Sequence, residues 1–351
     1  MFCDVLIIGC GPAGSSAAME ASKMGVDTLL VEKKRSIGNP VQCAEFIPKL
    51  LLNEINVTRN SIIQETKFIK IYLRGEILAE FNSPGYMLDR SIFDKELTYY
   101  ASIYGAKILI NSYCLSKEGN KVLLNRGNNA FEIYPKVIIG ADGPLSTAGE
   151  WIDSKNEKFL IGLQYELPLK EQLDYLEIYF EDSISGGYGW LFPKGNIANV
   201  GIGVNWAENF DNSHLMRKLN EFSCHLEKVG KIINTPLSIT SGLIPAGGPL
   251  NKTVESNILL VGDAAGQTHP ITGGGIPQAI ICGKIAGKVA AQSVKEKNLD
   301  ILYDYEKMWK KIYGKELNRA KNKRDLWEAN WEELDSDLIR NCWPSFREYY
   351  D

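Results

Sequence analysis

The chain has 351 residues, of which 44% are hydrophobic and 23% charged, a composition that supports buried cores in two or three structural units. A formal net charge of −4 argues against a whole-molecule nucleic-acid binder. The seven cysteines, at 3, 10, 43, 114, 224, 282 and 342, include no Cys-x-x-Cys pair, which argues against an iron–sulfur cluster or a zinc ribbon.

Scattered cysteines fit a reducing compartment. The chain opens directly into an apolar run with no charged leader before it, so no secretory signal is expected. No apolar run approaches membrane-spanning length. Together these predict a cytoplasmic protein.

Residues 3–8 predict a buried parallel strand. Gly9-Cys10-Gly11-Pro12-Ala13-Gly14 follows, then a small-residue helix over 15–24 and a second strand over 26–31 ending at Glu32. This is a βαβ unit of about thirty residues carrying Gly-x-Gly-x-x-Gly. Gly9 permits the tight turn, Gly11 lets the backbone approach a pyrophosphate, and Gly14 lets helix and strand pack closely. The helix N-terminus offers free amides to phosphate. Glu32 can accept hydrogen bonds from both ribose hydroxyls of an adenosine and would repel a 2′-phosphate, which disfavours NADP here.

Residues 33–65 read as irregular, 67–81 as strands about Arg74-Gly75, and 91–104 as a helix stopped by Gly105. Strand-like runs follow at 107–111, 121–125 and 131–139, the last ending in Gly140-Ala141-Asp142-Gly143. From about 155 to 245 the pattern is short β segments interrupted by a helix at 212–232, which predicts an inserted antiparallel sheet. A strand at 258–261 then runs into Gly262-Asp263, the glycines 273–275 and a helix from 276 to about 295. The tail, 301–351, reads as helical. The predicted domains are 1–65, 86–152 and 246–300 as one discontinuous unit, 66–85 and 153–245 as a sheet domain, and 301–351 as a C-terminal segment.

Strand ends at 9, 140 and 262 are expected to converge at the carboxyl edge of one sheet, where ligands bind in open α/β folds. Asp263 suits ribityl hydroxyls or a pyrophosphate-side contact. Helix amides after Gly274 and Gly275 suit the flavin N1–C2=O edge, where charge gathers on reduction. Glycines there let backbone lie against a flat ring.

The combination of Gly-x-Gly-x-x-Gly with Glu32, Asp89-Arg90-x-x-Phe93-Asp94, Gly140-Ala141-Asp142-Gly143 and Gly262-Asp263-Ala264-Ala265-Gly266 resembles the FAD-dependent oxidoreductases of the p-hydroxybenzoate hydroxylase fold. Gly187-Tyr188-Gly189-Trp190-Leu191-Phe192-Pro193-Lys194-Gly195, followed by Asn199-Val200-Gly201-Ile202-Gly203, is similar to the substrate-domain signature of geranylgeranyl reductases. The resemblance covers about residues 1–300. It implies an α/β fold: a Rossmann-like FAD-binding domain, an inserted antiparallel substrate sheet and a short helical tail.

The resemblance implies FAD contacts at Ala13, Glu32, Cys43, Ala44, Arg90, Cys114, Asp263, Gly275 and Ile276. Gly9, Gly11, Gly14, Asp142 and Gly274 complete the candidate cofactor set. Arg90 also makes sense unaided, since a guanidinium beside the 91–104 helix can clamp pyrophosphate or ribose. Two features depart from the family: Phe46 follows the cysteine where glycine is common, altering the space beside the flavin, and the C-terminal part is short.

The activity implied is reduction of carbon–carbon double bonds of an isoprenoid lipid by hydride from reduced flavin. No second dinucleotide motif is present, so NAD(P)H visiting the flavin or a small redox protein would supply electrons. On the residues alone, an FAD monooxygenase of an aromatic or polyketide-like molecule and an electron-transfer flavoprotein remain open.

The resemblance places Cys43 near the isoalloxazine, where it reads as a redox or proton-donating thiol, or as a packed residue. Glu45 reads as a general acid if buried, or a solvated loop acid. His269 reads as a flavin-positioning or proton-donating group, or an ordinary loop histidine. Tyr188, Trp190 and Phe192 alternate along one strand and face one side, as the wall of an apolar substrate tunnel with Phe46 or as sheet core. Residues 307–324 carry eight Lys or Arg and the acid Glu316, which suits a peripheral contact with an anionic membrane or a solvated helix face. Trp327, Trp331 and Trp343 read as packing anchors.

Overall fold

A computed structural model describes residues 1–55, 57–127, 129–206 and 212–351. In chain order its strands are β1 (Phe2–Ile8), β2 (Thr28–Val31), β3 (Phe46–Pro48), β4 (Ile62–Leu73), β5 (Glu76–Leu88), β6 (Lys107–Leu109), β7 (Ser112–Glu118) and β8 (Lys121–Arg126). They continue with β9 (Asn129–Gly140), β10 (Phe159–Pro168), β11 (Tyr175–Phe180), β12 (Tyr188–Lys194), β13 (Ile197–Asn205), β14 (Ser238–Pro245), β15 (Val254–Glu255) and β16 (Ile258–Leu260). The helices are α1 (Pro12–Lys23), α2 (Arg90–Ile103), α3 (Thr147–Trp151), α4 (Asn212–Lys228), α5 (Ile276–Glu296), α6 (Leu302–Trp309), α7 (Lys315–Ala329) and α8 (Ser336–Cys342). The chain divides into a first unit, 1–39, 91–157 and 247–319, and a second, 40–90, 158–246 and 320–351. Among the described residues no helix is long and apolar enough to cross a membrane.

The first unit is built on a sheet of order β15-β16-β9-β1-β2-β6. β1 pairs in parallel with β2 and β9, and β16 and β6 extend the parallel core on either side. The ends of β1, β9 and β16 are therefore neighbours, as the three strand-end glycine motifs require. The strands read as continuous apolar runs because both faces are buried. A strand that the periodicity did not announce, β7, pairs with β8, which pairs with β9.

Helices α1 and α5 pack backbone to backbone. A Cβ on Gly283 or Gly287 of α5 would lie 2.3 Å from the Ala13 carbonyl oxygen or 2.1 Å from that of Ala17. That contact fixes the two helix N-termini in one framework.

The tail does not stand apart as one segment. Its first part closes the first core with Leu302, Tyr305, Trp309 and Leu317. The Tyr305 hydroxyl donates to the Leu260 carbonyl at 2.8 Å, and Trp309 Nε1 donates to Thr253 Oγ1 at 3.0 Å.

The second unit is an eight-stranded sheet of order β14-β10-β13-β12-β11-β4-β5-β3. It is antiparallel except that β11 runs parallel to β4, a pairing that the expectation of an antiparallel insert did not foresee. Residues 40–65 belong here rather than to the first unit, because β3 pairs with β5 and β4 forms a long hairpin with β5.

Side chains alternate across this sheet. Leu163, Tyr165, Leu191, Val200 and Ile202 share one core with Leu215, Leu219, Phe222 and Leu226 of α4. Residues on the other parity, among them Gln164, Trp190, Phe192 and Asn199, point the opposite way. There the last part of the tail covers the sheet: Trp343 packs 5.3 Å from Phe180 and 5.1 Å from Tyr188, and Trp327 5.3 Å from Phe180. Arg324, expected on a basic surface, is buried instead; it donates to Glu328 at 2.8 Å and also to Asn205 Oδ1.

Candidate functional site

In the first unit the candidate site is made mostly of main chain. Gly9 follows β1 at φ +101°, and a Cβ there would sit 2.3 Å from the Ala141 carbonyl oxygen. A Cβ on Gly14 would meet the Gly9 carbonyl at 1.9 Å, whereas one on Gly11 meets nothing within 4 Å. Gly11 therefore borders open space, while Gly9 and Gly14 are demanded by packing. α1 has no side-chain cap and no acid in its first turn, so its leading amides keep their donors for a ligand. Glu32 is fixed at the end of β2 by accepting from Cys10 N at 2.9 Å and Lys34 N at 2.8 Å.

The loops after β9 and β16 are stitched together by Asn156, whose Nδ2 donates to the Pro144 carbonyl at 3.1 Å and the Asp263 carbonyl at 2.8 Å. Asp263 Oδ1 accepts from Thr268 Oγ1 at 2.6 Å. A Cβ on Gly275 would lie 3.2 Å from that hydroxyl and 3.3 Å from that carboxylate, so the chain passes tightly there. α5 begins at Gly275 with no side-chain cap and no acid in its first turn. Open space above Gly11, two uncapped helix N-termini and a strand-end carboxylate fit an adenosine, a pyrophosphate and a flavin edge. The residues present thus fit FAD.

Three residues named from the sequence are engaged or buried within the protein's own framework. Asp142 uses both oxygens on α3, accepting from Ser146 Oγ at 2.5 Å and Ala148 N at 3.1 Å. His269 Nδ1 accepts from Ile271 N and Thr272 N, each at 3.3 Å, while its main chain pairs with Gly273 and Gly274. Its Nε2 lies 3.6 Å from Glu316 Oε1. The ring shapes the glycine turn. Cys114 is buried on β7, where burial first and Asp142 second push its thiol up to about 12.

In the second unit the candidate site centres on the loop before β3. Glu45 holds φ +69°, a left-handed conformation unusual for a side-chain-bearing residue, and is 1% exposed. Its Oε1 accepts from Arg90 N at 2.8 Å. Its Oε2 accepts from Lys194 Nζ at 2.7 Å and Asn199 Nδ2 at 2.9 Å. Glu45 is buried, as a general acid would need, but every one of these contacts is a donor. Both carboxylate oxygens are thereby tied to the surrounding loop and strands. Lys194 is 12% exposed and also reaches Glu166 Oε1 at 3.2 Å. Burial pushes its ammonium down, and Glu45 and Glu166 outweigh that to hold it above its ordinary value.

Cys43 is half-buried. Its Sγ accepts from Glu45 N at 3.2 Å and its carbonyl from Gln164 Nε2 at 3.3 Å. Burial pushes its thiol up, and the Arg90 guanidinium beside it offsets part of that. Ala44 offers its carbonyl to Asn199 Nδ2 at 3.2 Å.

The aromatic strand divides. Trp190 is buried, its Nε1 donates to Gln164 Oε1 at 2.9 Å, and its ring lies where a Cβ on Gly201 would come within 2.3 Å. Phe192 is also buried, with Phe46 at 6.3 Å edge-on. Tyr188 and Phe46 keep partial exposure. Trp190 and Phe192 thus pack as sheet core, and of the four aromatics named from the sequence only Tyr188 and Phe46 keep accessible surface. Sequence reasoning assigned no role to Gln164, Glu166, Lys194 or Asn199. Lys194 and Asn199 stand inside the quoted signature, which was the available signal; Gln164 carried none.

Residues 159–239 match the geranylgeranyl reductase catalytic domain, and residues 4–39 match the FAD dependent oxidoreductase family. The digeranylgeranylglycerophospholipid reductase of Methanococcus aeolicus is 38% identical over 357 residues, covering 95% of this chain and 88% of that protein. A geranylgeranyl bacteriochlorophyll reductase-like protein from Thermoplasma acidophilum superposes with a TM-score of 0.84 at 31% identity, covering 96% of this chain and 89% of that one. A flavin-dependent brominase, at 15% identity, a TM-score of 0.74, and coverage of 96% and 93%, shares the fold alone. Similarity of this degree along nearly the whole length, on a framework that fits FAD, establishes that the chain belongs to the geranylgeranyl reductase family of FAD-dependent oxidoreductases.

Proposed function

We propose that this protein reduces carbon–carbon double bonds in the geranylgeranyl chains of a glycerophospholipid. The observation that carries the reading is the 38% identity, over 95% of the chain, to a digeranylgeranylglycerophospholipid reductase. In this reading the amides of Ala13 and Gly14 and the carboxylate of Glu32 hold the adenosine diphosphate half of FAD. Asp263 and the amides after Gly274, at Gly275 and Ile276, receive the flavin half. Bound in its reduced form, FAD supplies hydride.

The chain's own residues then supply position and a proton. The Cys43 thiol, held protonated at neutral pH by burial, is the proton donor to the reduced carbon. Phe46 and Tyr188 offer apolar surface to the prenyl chain and keep water from it. Glu45 and His269 organise their loops. Lys307, Lys311 and Lys315, with the exposed Met308 and Ile312, form a basic and apolar face suited to an anionic bilayer, the source of such a lipid. Electrons reach the flavin from NAD(P)H or a small redox protein.

The test is anaerobic. Dithionite-reduced holoenzyme is mixed with vesicles containing digeranylgeranylglycerophospholipid. Flavin absorbance should return while the lipid gains two hydrogens for each bond reduced, read by mass spectrometry. An unchanged lipid mass, with oxygen uptake that depends on an aromatic compound, would replace this reading with the monooxygenase one.

A further inference from the structure

The signature 187–203 reads from sequence as a substrate wall, yet most of its working atoms point at one short loop. Trp190 Nε1 donates to Gln164 Oε1 at 2.9 Å, and Gln164 Nε2 donates on to the Cys43 carbonyl at 3.3 Å. Lys194 Nζ lies 2.7 Å from Glu45 Oε2. Asn199 Nδ2 bridges Glu45 Oε2 at 2.9 Å and the Ala44 carbonyl at 3.2 Å. Arg90 N closes the ring on Glu45 Oε1 at 2.8 Å. Gly201 leaves the room in which the Trp190 ring lies.

Every residue from 43 to 45 is therefore gripped by this network, and Glu45 N in turn holds the Cys43 sulfur at 3.2 Å. The grip has something to oppose. Glu45 sits at φ +69°, which costs a residue with a side chain about 1 kcal/mol relative to glycine. A lone buried carboxylate would also be expelled toward water. Lys194, Asn199 and the Arg90 amide compensate both, and Asn199 does so at the expense of leaving its own Oδ1 buried without a partner.

We propose that Lys194, Asn199 and the Trp190–Gln164 pair are positioning residues that clamp the 43–45 turn and so set the direction and accessibility of the Cys43 sulfur. Their part in the reaction rests on the reading of Cys43 as proton donor; the clamp itself does not. The substrate meets this strand through Tyr188, while Trp190, Lys194 and Asn199 act through the thiol.

The experiment uses full-length holoenzyme in a Cys224→Ser background. Cys224 is exposed and the other five cysteines besides Cys43 are buried, so alkylation then reports Cys43. Iodoacetamide labelling is followed by peptide mass. Glu45→Gly removes the clamped carboxylate but suits the left-handed turn, so the fold is retained. Labelling should quicken about tenfold, as expected when a local clamp is opened. Single-turnover reduction of the lipid should slow by a similar factor with KM unchanged. Lys194→Arg, which keeps the ion pair, should label and turn over like the parent, a rescue that a merely space-filling lysine would not need.

Parental labelling in Glu45→Gly overturns the clamp, whatever the lipid does. Equal slowing in Lys194→Arg and Lys194→Met overturns the assignment to charge. Cys43→Ser with undiminished lipid reduction overturns the proton-donor reading and leaves the labelling result standing.

Discussion

In the first unit the groups proposed to hold FAD are main-chain amides at 13–14 and 275–276, with Glu32 and Asp263 as the side-chain exceptions. In the second unit the working groups are side chains, and the backbone they control, at 43–45, is held by residues from four other stretches of chain. Both units use glycine, but differently. Gly9 and Gly14 let backbone touch backbone, whereas Gly201 makes room for the Trp190 ring. A surface of amides tolerates changes of side chain and fails only where a Cβ intrudes. A network of paired side chains fails wherever one charge loses its partner.

The sharpest way to break that contrast is at Gly14. Gly14→Ala places a Cβ 1.9 Å from the Gly9 carbonyl, so the purified protein should carry no FAD and show no visible flavin absorbance. Gly11→Ala, facing open space, should leave apo stability unaltered and weaken FAD binding only through crowding of the phosphates, as isothermal titration would show.

In the second unit Trp343→Ala should cost about 4 kcal/mol in urea unfolding, because a buried ring against Phe180 and Tyr188 is lost. Lys194→Met should cost about 3 kcal/mol by the same measurement, since Glu45 remains as a buried charge short of its ion-pair partner. Glu45→Gly should cost less, because Lys194 keeps Glu166.

Acidity supplies a gentler probe. Lys194 is raised above its ordinary 10.5, so its stabilisation is complete below that pH and is lost as pH climbs through the higher folded value. The urea midpoint should therefore fall more steeply above about pH 10.5 in the parent than in Lys194→Met.

The smallest effect is expected at the basic face. Lys311→Glu should weaken sedimentation with anionic vesicles by about 1 kcal/mol for the lysine removed, and added salt should erase the difference.

The first unit was largely legible as sequence. A glycine turn between a strand and a helix is a local backbone device, so Gly9 to Gly14 and Glu32 announce their geometry within about thirty residues. Helix α5 and the three strand ends followed from the same kind of short-range pattern. Less of the second unit was legible. The alternation at 188, 190 and 192 correctly placed three aromatics on one face, but periodicity does not say what lies above a face. Burial turned Trp190 and Phe192 into core, and the hydrogen bond from Trp190 to Gln164 joins positions 26 residues apart.

What the sequence by itself determined is the class of fold, the flavin cofactor and the family, because each rests on contiguous motifs whose backbone geometry is nearly independent of distant residues. What only the tertiary structure decided is the work of individual side chains. Glu45 is held by three donors from other stretches of chain, His269 shapes a turn, Arg324 is buried, and the tail is shared between two units. Those roles depend on which partners long-range packing delivers to a charge or a ring, and pairing across a hundred residues leaves no trace in local composition.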